Sequence, residues 1–298
     1  MFNLFMNDLV SHIGFGRIFS YSDDSQLVHC AKPGELLQLK HHIESDLGQL
    51  SRWFHRNGLK VNPTKTEFLL AGTPANTAKV SALAVNFEGV SLVHSENIKI
   101  LGVHFDCHAN WEKHVSVVAQ NCSGAIVTIR KLNLPRETTK MLIQALVFPM
   151  IMYCLPVWAP KFKTLRNRIE KVINFAVRTV TGLRKFDHVS RARSELGWLT
   201  FDAMIDLRDV QRIHHIMWHR DASQQLRALL ETRSQVSLRL TRSTADETML
   251  HFPKCCLQST KLSFPHRAVV TWNRLPQDMR ASRAAAFKRK MCKFLAVG

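Results

Sequence analysis

Hydrophobic and polar positions alternate along the first hundred residues in a way that predicts strands around one long helix. Apolar runs at 17–19 and 27–29 flank the polar stretch 22–25, which predicts two strands joined by a tight turn. Apolar residues then recur every three or four positions from Leu36 to Phe54, which predicts a helix with one face packed on the hairpin. Pro33-Gly34 begins this helix, and Asn57-Gly58 ends it.

Shorter apolar runs follow this helix. They predict one strand over 66–71 and further short strands near 85–87, 91–93 and 99–105.

From Trp111 onward the apolar period becomes helical. Helices are predicted from 111 to about 131, from Pro135, and over 165–183, 200–220 and 284–295, whereas the Arg-, Ser- and Thr-rich segment 221–252 reads as loosely ordered. Apolar residues of helix 165–183 face inward and leave a set of basic side chains for solvent or for phosphate groups. That set is Arg166, Arg168, Lys171, Arg178, Arg184 and Lys185.

One uncharged stretch, 141–160, is long enough to test for a membrane span. Pro149 and Pro156 divide it into shorter pieces, so we expect a buried helix followed by an extended segment, and no membrane contact.

Charge is distributed unevenly. The net charge is +18, but residues 1–108 carry 9 Lys and Arg against 10 Asp and Glu, so residues 109–298 carry all of the excess, +19. A neutral segment joined to a strongly basic one is typical of a nucleic-acid enzyme, in which phosphate backbones follow the basic part.

The seven Cys are scattered, and no Cys-x-x-Cys occurs. An odd number favours free thiols in a reducing compartment, so we expect no disulfide partner and an intracellular protein of the nucleus or cytoplasm, not a secreted one. His215 and His219 have a spacing that metal sites use, but the sequence shows no Glu or Cys to complete a site. We therefore expect exposed or packed histidines there.

Asp23 and Asp24 lie within the predicted turn, which would present two carboxylates at the tip of the hairpin. Paired Asp residues can hold Mg²⁺, a hard ion that prefers oxygen ligands, and two such ions can clamp the reacting oxygens of phosphoryl transfer. The alternative is an ordinary solvated turn.

Tyr21-Ser22-Asp23-Asp24 resembles the Tyr-x-Asp-Asp box of reverse transcriptases. Further blocks are similar to those of the family and follow in its order, and together they resemble reverse transcriptases of non-LTR retrotransposons, jockey-like elements in particular. Before and after the box these blocks are 2–9, 51–54, 57–66 and 100–106, and later ones are 153–158, 178–183, 195–199 and 272–276.

This resemblance implies an α+β fold: a partial polymerase palm of β-hairpin, helix and short antiparallel strands, followed by a mostly α-helical thumb-like and C-terminal region. The implied domains are a palm over 1–108, a helical thumb-like region over 109–220 and a basic, partly loosely ordered C-terminal region over 221–298.

The implied reaction is RNA-templated addition of deoxynucleotides to a DNA primer with two Mg²⁺ ions. Asp23 and Asp24 would be the metal-binding catalytic carboxylates, and Tyr21 and Ser22 would shape the hairpin. Lys65 would act near the leaving pyrophosphate, and Leu101-Gly102 resembles the primer grip.

The family's upstream Asp block, its Gln-Gly turn and its fingers have no counterpart here. We therefore expect a C-terminal piece of a polymerase that is inactive on its own. The alternatives are a non-catalytic, basic nucleic-acid-binding remnant of a decayed element, or a decayed copy that never folds stably, with sheet edges and apolar surface left open.

Overall fold

The computed structural model describes residues 6–32, 34–78, 83–219, 221–236, 246–252, 255 and 261–297. The chain divides into two compact units, Met1–Ala109 and Asn110–Gly298. Helices are combined with short antiparallel strand pairs, so the predicted α+β class is confirmed. The palm, thumb-like and C-terminal labels stay predictions.

The first unit is organised by the predicted hairpin and helix. Strands β1 (Arg17–Tyr21) and β2 (Asp24–Val28) pair antiparallel, and helix α1 spans Leu36–Arg56. Side chains alternate between the two faces of a strand, so Ile18 and Leu27 share the face that packs against buried residues of α1. The predicted packing of α1 on the hairpin is therefore confirmed.

Two further hairpins complete the sheets of this unit. They are β3 (Ala84–Phe87) with β4 (Val90–Val93), and β5 (Asn97–Ile100) with β6 (Val103–Asp106). Short helices connect the other elements: 3-10 turns at Leu9–His12 and Pro63–Lys65, and α2 at Pro74–Ala78.

Two strand predictions in this unit are wrong. The stretch 99–105 is a hairpin, not one strand, because Leu101 and Gly102 adopt positive φ of 46° and 84° and reverse the chain. Positive φ at both central residues is the geometry of the type I′ hairpin turn. The stretch 66–71 forms only an isolated bridge between Phe68 and His94.

The described residues of the second unit form helices joined by turns and loops, with an isolated bridge between Thr232 and Leu250. The long helices predicted there are present. The helices are α3 (Glu112–Lys131), α4 (Arg136–Leu146), α5 (Phe148–Met152), α6 (Leu155–Trp158), α7 (Lys163–Thr181), α8 (Ser190–Glu195), α9 (Phe201–Trp218), α10 (Gln224–Arg227), α11 (Arg233–Val236), α12 (Phe264–Asn273), α13 (Gln277–Arg280) and α14 (Ala284–Val297).

Residues 141–160 form the end of α4 and then α5 and α6, so the expected extended segment is wrong. Pro149 and Pro156 each occupy the first turn of a new short helix, where the missing N–H of proline costs nothing. Within the described ranges, no helix is long and apolar enough to cross a membrane.

The core of this unit lies where α3 and α4 pack on α7, and where α12 and α14 pack on α9. The apolar face predicted for 165–183 is buried, including Ile169, Ile173 and Val177. In the segment 221–252, Leu250 is buried in the cluster that contains Trp272. Residues 237–245 of that segment, the first five residues and Pro33 carry sequence predictions but lie outside the described part.

Candidate active site and nucleic-acid surface

The tip of the first hairpin presents both predicted carboxylates to solvent. Tyr21 and Asp24 are the last pair of the ladder, and Ser22 and Asp23 form the turn between them. Ser22 has a φ of 55°, because a two-residue hairpin turn needs positive φ at its first central residue. Asp23 and Asp24 are exposed, as is Tyr21, so the tip is accessible to an ion or a ligand.

The outer face of this hairpin carries exposed apolar side chains. Phe19, Tyr21 and Val28 are 53%, 68% and 45% exposed, and they lie on the face opposite Ile18 and Leu27. Large apolar side chains on a two-stranded ribbon form an open apolar surface, and such surface was part of the alternative of a decayed copy, which stays untested.

The base of the hairpin is held by one buried carboxylate, Asp46 of α1. Its oxygens accept hydrogen bonds from the backbone N–H of Gly14 at 2.9 Å, of Phe15 at 3.2 Å and of Gly16 at 2.8 Å. They also accept one from Nε2 of His29 at 2.9 Å. Since Gly16 precedes β1 and His29 follows β2, this single side chain fixes both ends of the hairpin to the helix.

The close packing at Gly16 explains why that position has no side chain. A Cβ there would lie 2.7 Å from ring atoms of His29, which is closer than real Cβ contacts come. Beside it, the Phe15 ring stacks on His42 with centroids 3.9 Å apart.

The sequence reasoning missed Asp46. The pattern contained an indication, because Asp46 lies on the apolar stripe of α1, between Ile43 and Leu50 at helical spacing. An acid on a buried face needs hydrogen-bond donors to offset its desolvation.

The donor set at the hairpin tip fits one hydrated Mg²⁺, which is commonly bound by one or two carboxylates and keeps several waters. Among the described residues, no third His, Cys, Asp or Glu joins Asp23 and Asp24 in a metal-ligand group. Asp8 accepts a hydrogen bond from the Trp53 indole, and Asp106 accepts one from the backbone N–H of His108. Neither is therefore placed as a third ligand.

The other predicted residues of the first unit lie on separate turns. Lys65 is exposed at the end of the 3-10 turn Pro63–Lys65, and no ion pair joins it to the hairpin carboxylates in the described part of the chain. Leu101 and Gly102 form the turn between β5 and β6.

The six predicted basic residues divide into two groups. Arg166 donates to the Pro160 carbonyl and to Asp202, and Arg178 donates to the carbonyls of Arg184 and Asp187. These two guanidinium groups support the fold, so they are less free to bind phosphate than the sequence suggests.

The other four basic side chains are exposed: Arg168, Lys171, Arg184 and Lys185. Arg168 donates to the hydroxyl of Ser116. Lys185 lies 5.6 Å from the ring centroid of Phe186, which is itself 89% exposed. The sequence reasoning also missed Phe186, although an aromatic residue beside Arg184 and Lys185 is a combination that stacks on unpaired bases and holds their phosphates.

Comparison with known proteins gives one distant relationship. The chain is 25% identical over 209 residues to a probable RNA-directed DNA polymerase from transposon BS of Drosophila melanogaster. The match covers 66% of this chain and 22% of that protein, so the chain spans about a fifth of the relative's length. The match supports kinship with transposon RNA-directed DNA polymerases.

No family model matches the chain, and no solved structure is significantly similar to it. The expected relationship to reverse transcriptases is thus supported at the level of a distant relative, and the assignment to jockey-like elements stays a prediction.

Proposed function

We propose that this chain is part of the RNA-directed DNA polymerase of a non-LTR transposon and contributes one side of its catalytic centre. The observation that carries the proposal is the pair of adjacent, exposed carboxylates at the tip of a hairpin whose base is anchored by Asp46. The distant polymerase relative supports it independently of that geometry.

In this proposal Asp23 and Asp24 hold Mg²⁺, which supplies electrostatic stabilisation to the phosphates of an incoming deoxynucleotide. Tyr21 and Ser22 set the direction of the two carboxylates through the last ladder pair and the turn. Lys65 would bring positive charge toward the leaving pyrophosphate, and the turn at Leu101-Gly102 would contact the primer backbone. RNA template and DNA primer are the proposed partners.

A metal-binding experiment tests the hairpin directly. We expect Mn²⁺, used as a paramagnetic substitute for Mg²⁺, to broaden the amide NMR resonances of residues 21–25 before those elsewhere in the first unit. Asp23→Asn and Asp24→Asn should each reduce the broadening, because Mn²⁺ prefers carboxylate oxygens. Glu67→Gln, an exposed acid of the same unit, is the matched control.

Equal broadening in the native chain and in both hairpin variants would contradict the proposed ion site. We also propose that the chain alone does not polymerise, since the described residues supply two carboxylates where a two-ion clamp needs more ligands. Primer extension by the purified chain that disappears on Asp23→Ala would overturn this second point.

A second candidate function is non-catalytic binding of nucleic acid, favoured by the +19 charge of residues 109–298. Lys171, Arg184 and Lys185 are exposed on α7 and in the loop after it, next to the exposed ring of Phe186. Such a surface binds phosphate backbones without reading sequence.

We expect the logarithm of the association constant for a single-stranded oligonucleotide to fall linearly as the logarithm of the salt concentration rises, because bound phosphates release counterions. Removing three cations in Lys171→Ala/Arg184→Ala/Lys185→Ala should lower the slope by about 2, at roughly 0.7 per contact. Filter binding at several salt concentrations measures both quantities.

The matched control removes three exposed cations from the first unit, in Arg52→Ala/Arg56→Ala/Lys60→Ala. Both triple variants lose the same net charge. The comparison therefore distinguishes a local contact at the α7 surface from a general effect of charge. An equal loss of slope in the two variants would show that the α7 surface has no special role.

A further inference from the structure

The end of helix α9 brings together three side chains that can bind a metal ion. His215 and His219 are one helical turn apart, and their ring centroids lie 4.6 Å from each other. Asp221 follows in the next turn of chain, where its Oδ2 is 3.7 Å from Nε2 of His215. One ligand atom from each of the three residues lies within 4.8 Å of the other two.

These separations fit a first-row divalent ion. Metal–ligand bonds of about 2.0–2.2 Å in a tetrahedral arrangement place the ligand atoms about 3.3–3.6 Å apart. The His215–Asp221 distance of 3.7 Å already approaches this value, and binding would require rotation of the three side chains to bring the remaining ligand atoms, which lie within 4.8 Å, to the same spacing.

The turn that carries Asp221 is fixed by hydrogen bonds that do not involve its side chain. Arg227 donates to the carbonyls of His219 and Ala222, and the backbone N–H of Ala222 also donates to the His219 carbonyl. The backbone of the turn is therefore held near the helix end before any ion arrives, which reduces the entropy lost on binding.

The third histidine of this helix end has a different role. His214 is buried, donates from Nε2 to the Ser282 carbonyl at 2.8 Å and stacks on Phe287 with centroids 4.3 Å apart. His215 and His219 therefore lie close to Asp221, whereas His214 does not join them. The sequence could not show this grouping, because the third ligand, Asp221, comes from the turn after the helix.

We propose that His215, His219 and Asp221 bind a divalent transition-metal ion, and that the ion joins the turn at Asp221 to the end of α9. Two imidazole nitrogens and one carboxylate oxygen are a ligand set that suits Zn²⁺ far better than Mg²⁺ or Ca²⁺. A fourth position remains for water. This site is independent of the proposed polymerase chemistry.

Zinc titration of the purified full chain, followed by calorimetry, tests the proposal, with Co²⁺ absorption reporting the ligand type. His219→Ala and Asp221→Asn should each weaken Zn²⁺ binding at the tight site by at least about tenfold, the smallest effect usual even for residues that only support a ligand. Zn²⁺ should also raise the melting temperature of the native chain but not of these variants.

Two controls keep the test specific. His188→Ala and Glu137→Gln remove an exposed histidine and an exposed acid elsewhere in the same unit, and both should bind Zn²⁺ like the native chain. Equal affinity in the native chain and in both site variants would overturn the proposal by placing zinc on other residues. A loss only in His219→Ala would also overturn it, because an adventitious histidine pair would then suffice.

Discussion

Replacing Asp46 with alanine is expected to destabilise the first unit by about 3–5 kcal/mol, because several hydrogen-bond donors lose one shared acceptor. The variant leaves the backbone N–H groups of Gly14 and Gly16 and the ring of His29 without their shared acceptor. A buried donor that loses its partner costs about 1–3 kcal/mol by itself. The hairpin should then detach from α1 at both ends.

Denaturant unfolding and amide hydrogen exchange measure this effect. Exchange should accelerate in β1 and β2 of Asp46→Ala far more than in α3 or α7, since the lost contacts lie in the first unit. Glu67→Ala removes an exposed carboxylate from the same unit and should change neither quantity appreciably. Unchanged exchange in the two strands of Asp46→Ala would show that the carboxylate does not anchor the hairpin.

The effect of Asp46 should depend on pH in a defined direction. Burial alone raises the pKa of this carboxyl, but the hydrogen bonds from Gly14, Gly16, His29 and Phe15 outweigh burial and hold the pKa below its ordinary value of 3.8. A depressed pKa means that the stabilisation is complete above the unfolded value and is lost as the pH falls through the folded value. The difference in the free energy of unfolding between the native chain and Asp46→Ala should therefore become smaller below pH 3.8.

The sequence predicted the elements whose patterns are long or repeated. Helices α1, α3 and α7 each show several turns of the same apolar period, and a period this long leaves little room for another structure. Turns inside short apolar runs were missed, as at Leu101-Gly102, because a non-glycine residue at positive φ has no reliable sequence pattern.

The sequence also located the hairpin carboxylates but not the residues that hold them. Asp23 and Asp24 were found because they are adjacent in the chain. The backbone N–H partners of Asp46 come from a segment about thirty residues away, and nearly every residue type supplies such a group. For the same reason the sequence could not show that carbonyls of the folded chain accept hydrogen bonds from Arg166 and Arg178, whose role in binding phosphate stays a prediction.

The buried pair of Asp209 and Arg267 in the second unit should have an equally large effect. Both oxygens of Asp209 accept hydrogen bonds from Arg267, at 2.5 and 3.0 Å, and the carboxylate is fully buried. Arg267→Met should destabilise the unit by about 3–5 kcal/mol, because it leaves a buried charge without its partner. Asp209→Leu should cost a similar amount, because the buried guanidinium loses its carboxylate and keeps hydrogen bonds to the Leu262 and Pro156 carbonyls.

Removing both members should cost less than removing either one, since two apolar side chains of similar size bury no uncompensated charge. Denaturant unfolding of the native chain, the two single variants and the double variant gives the coupling energy of the pair as a double-mutant cycle. The exposed pair of Arg191 and Glu195, whose side chains are 93% and 53% exposed, is the control and should show a coupling below about 1 kcal/mol. Additive losses at Asp209 and Arg267 would contradict the predicted coupling.

The pH dependence of this pair should be opposite to that of Asp46. Burial raises the pKa of Asp209 to about 6, although the hydrogen bonds and charge of Arg267 act to lower it. Because this value exceeds 3.8, the folded state binds the proton more tightly, and the stability that Asp209 contributes falls as the pH rises through about 6. The double variant lacks this carboxyl, so its stability relative to the native chain should increase between pH 4 and pH 7. A constant difference across that range would show that Asp209 keeps an ordinary pKa and that the carboxylate is compensated by Arg267 at every pH.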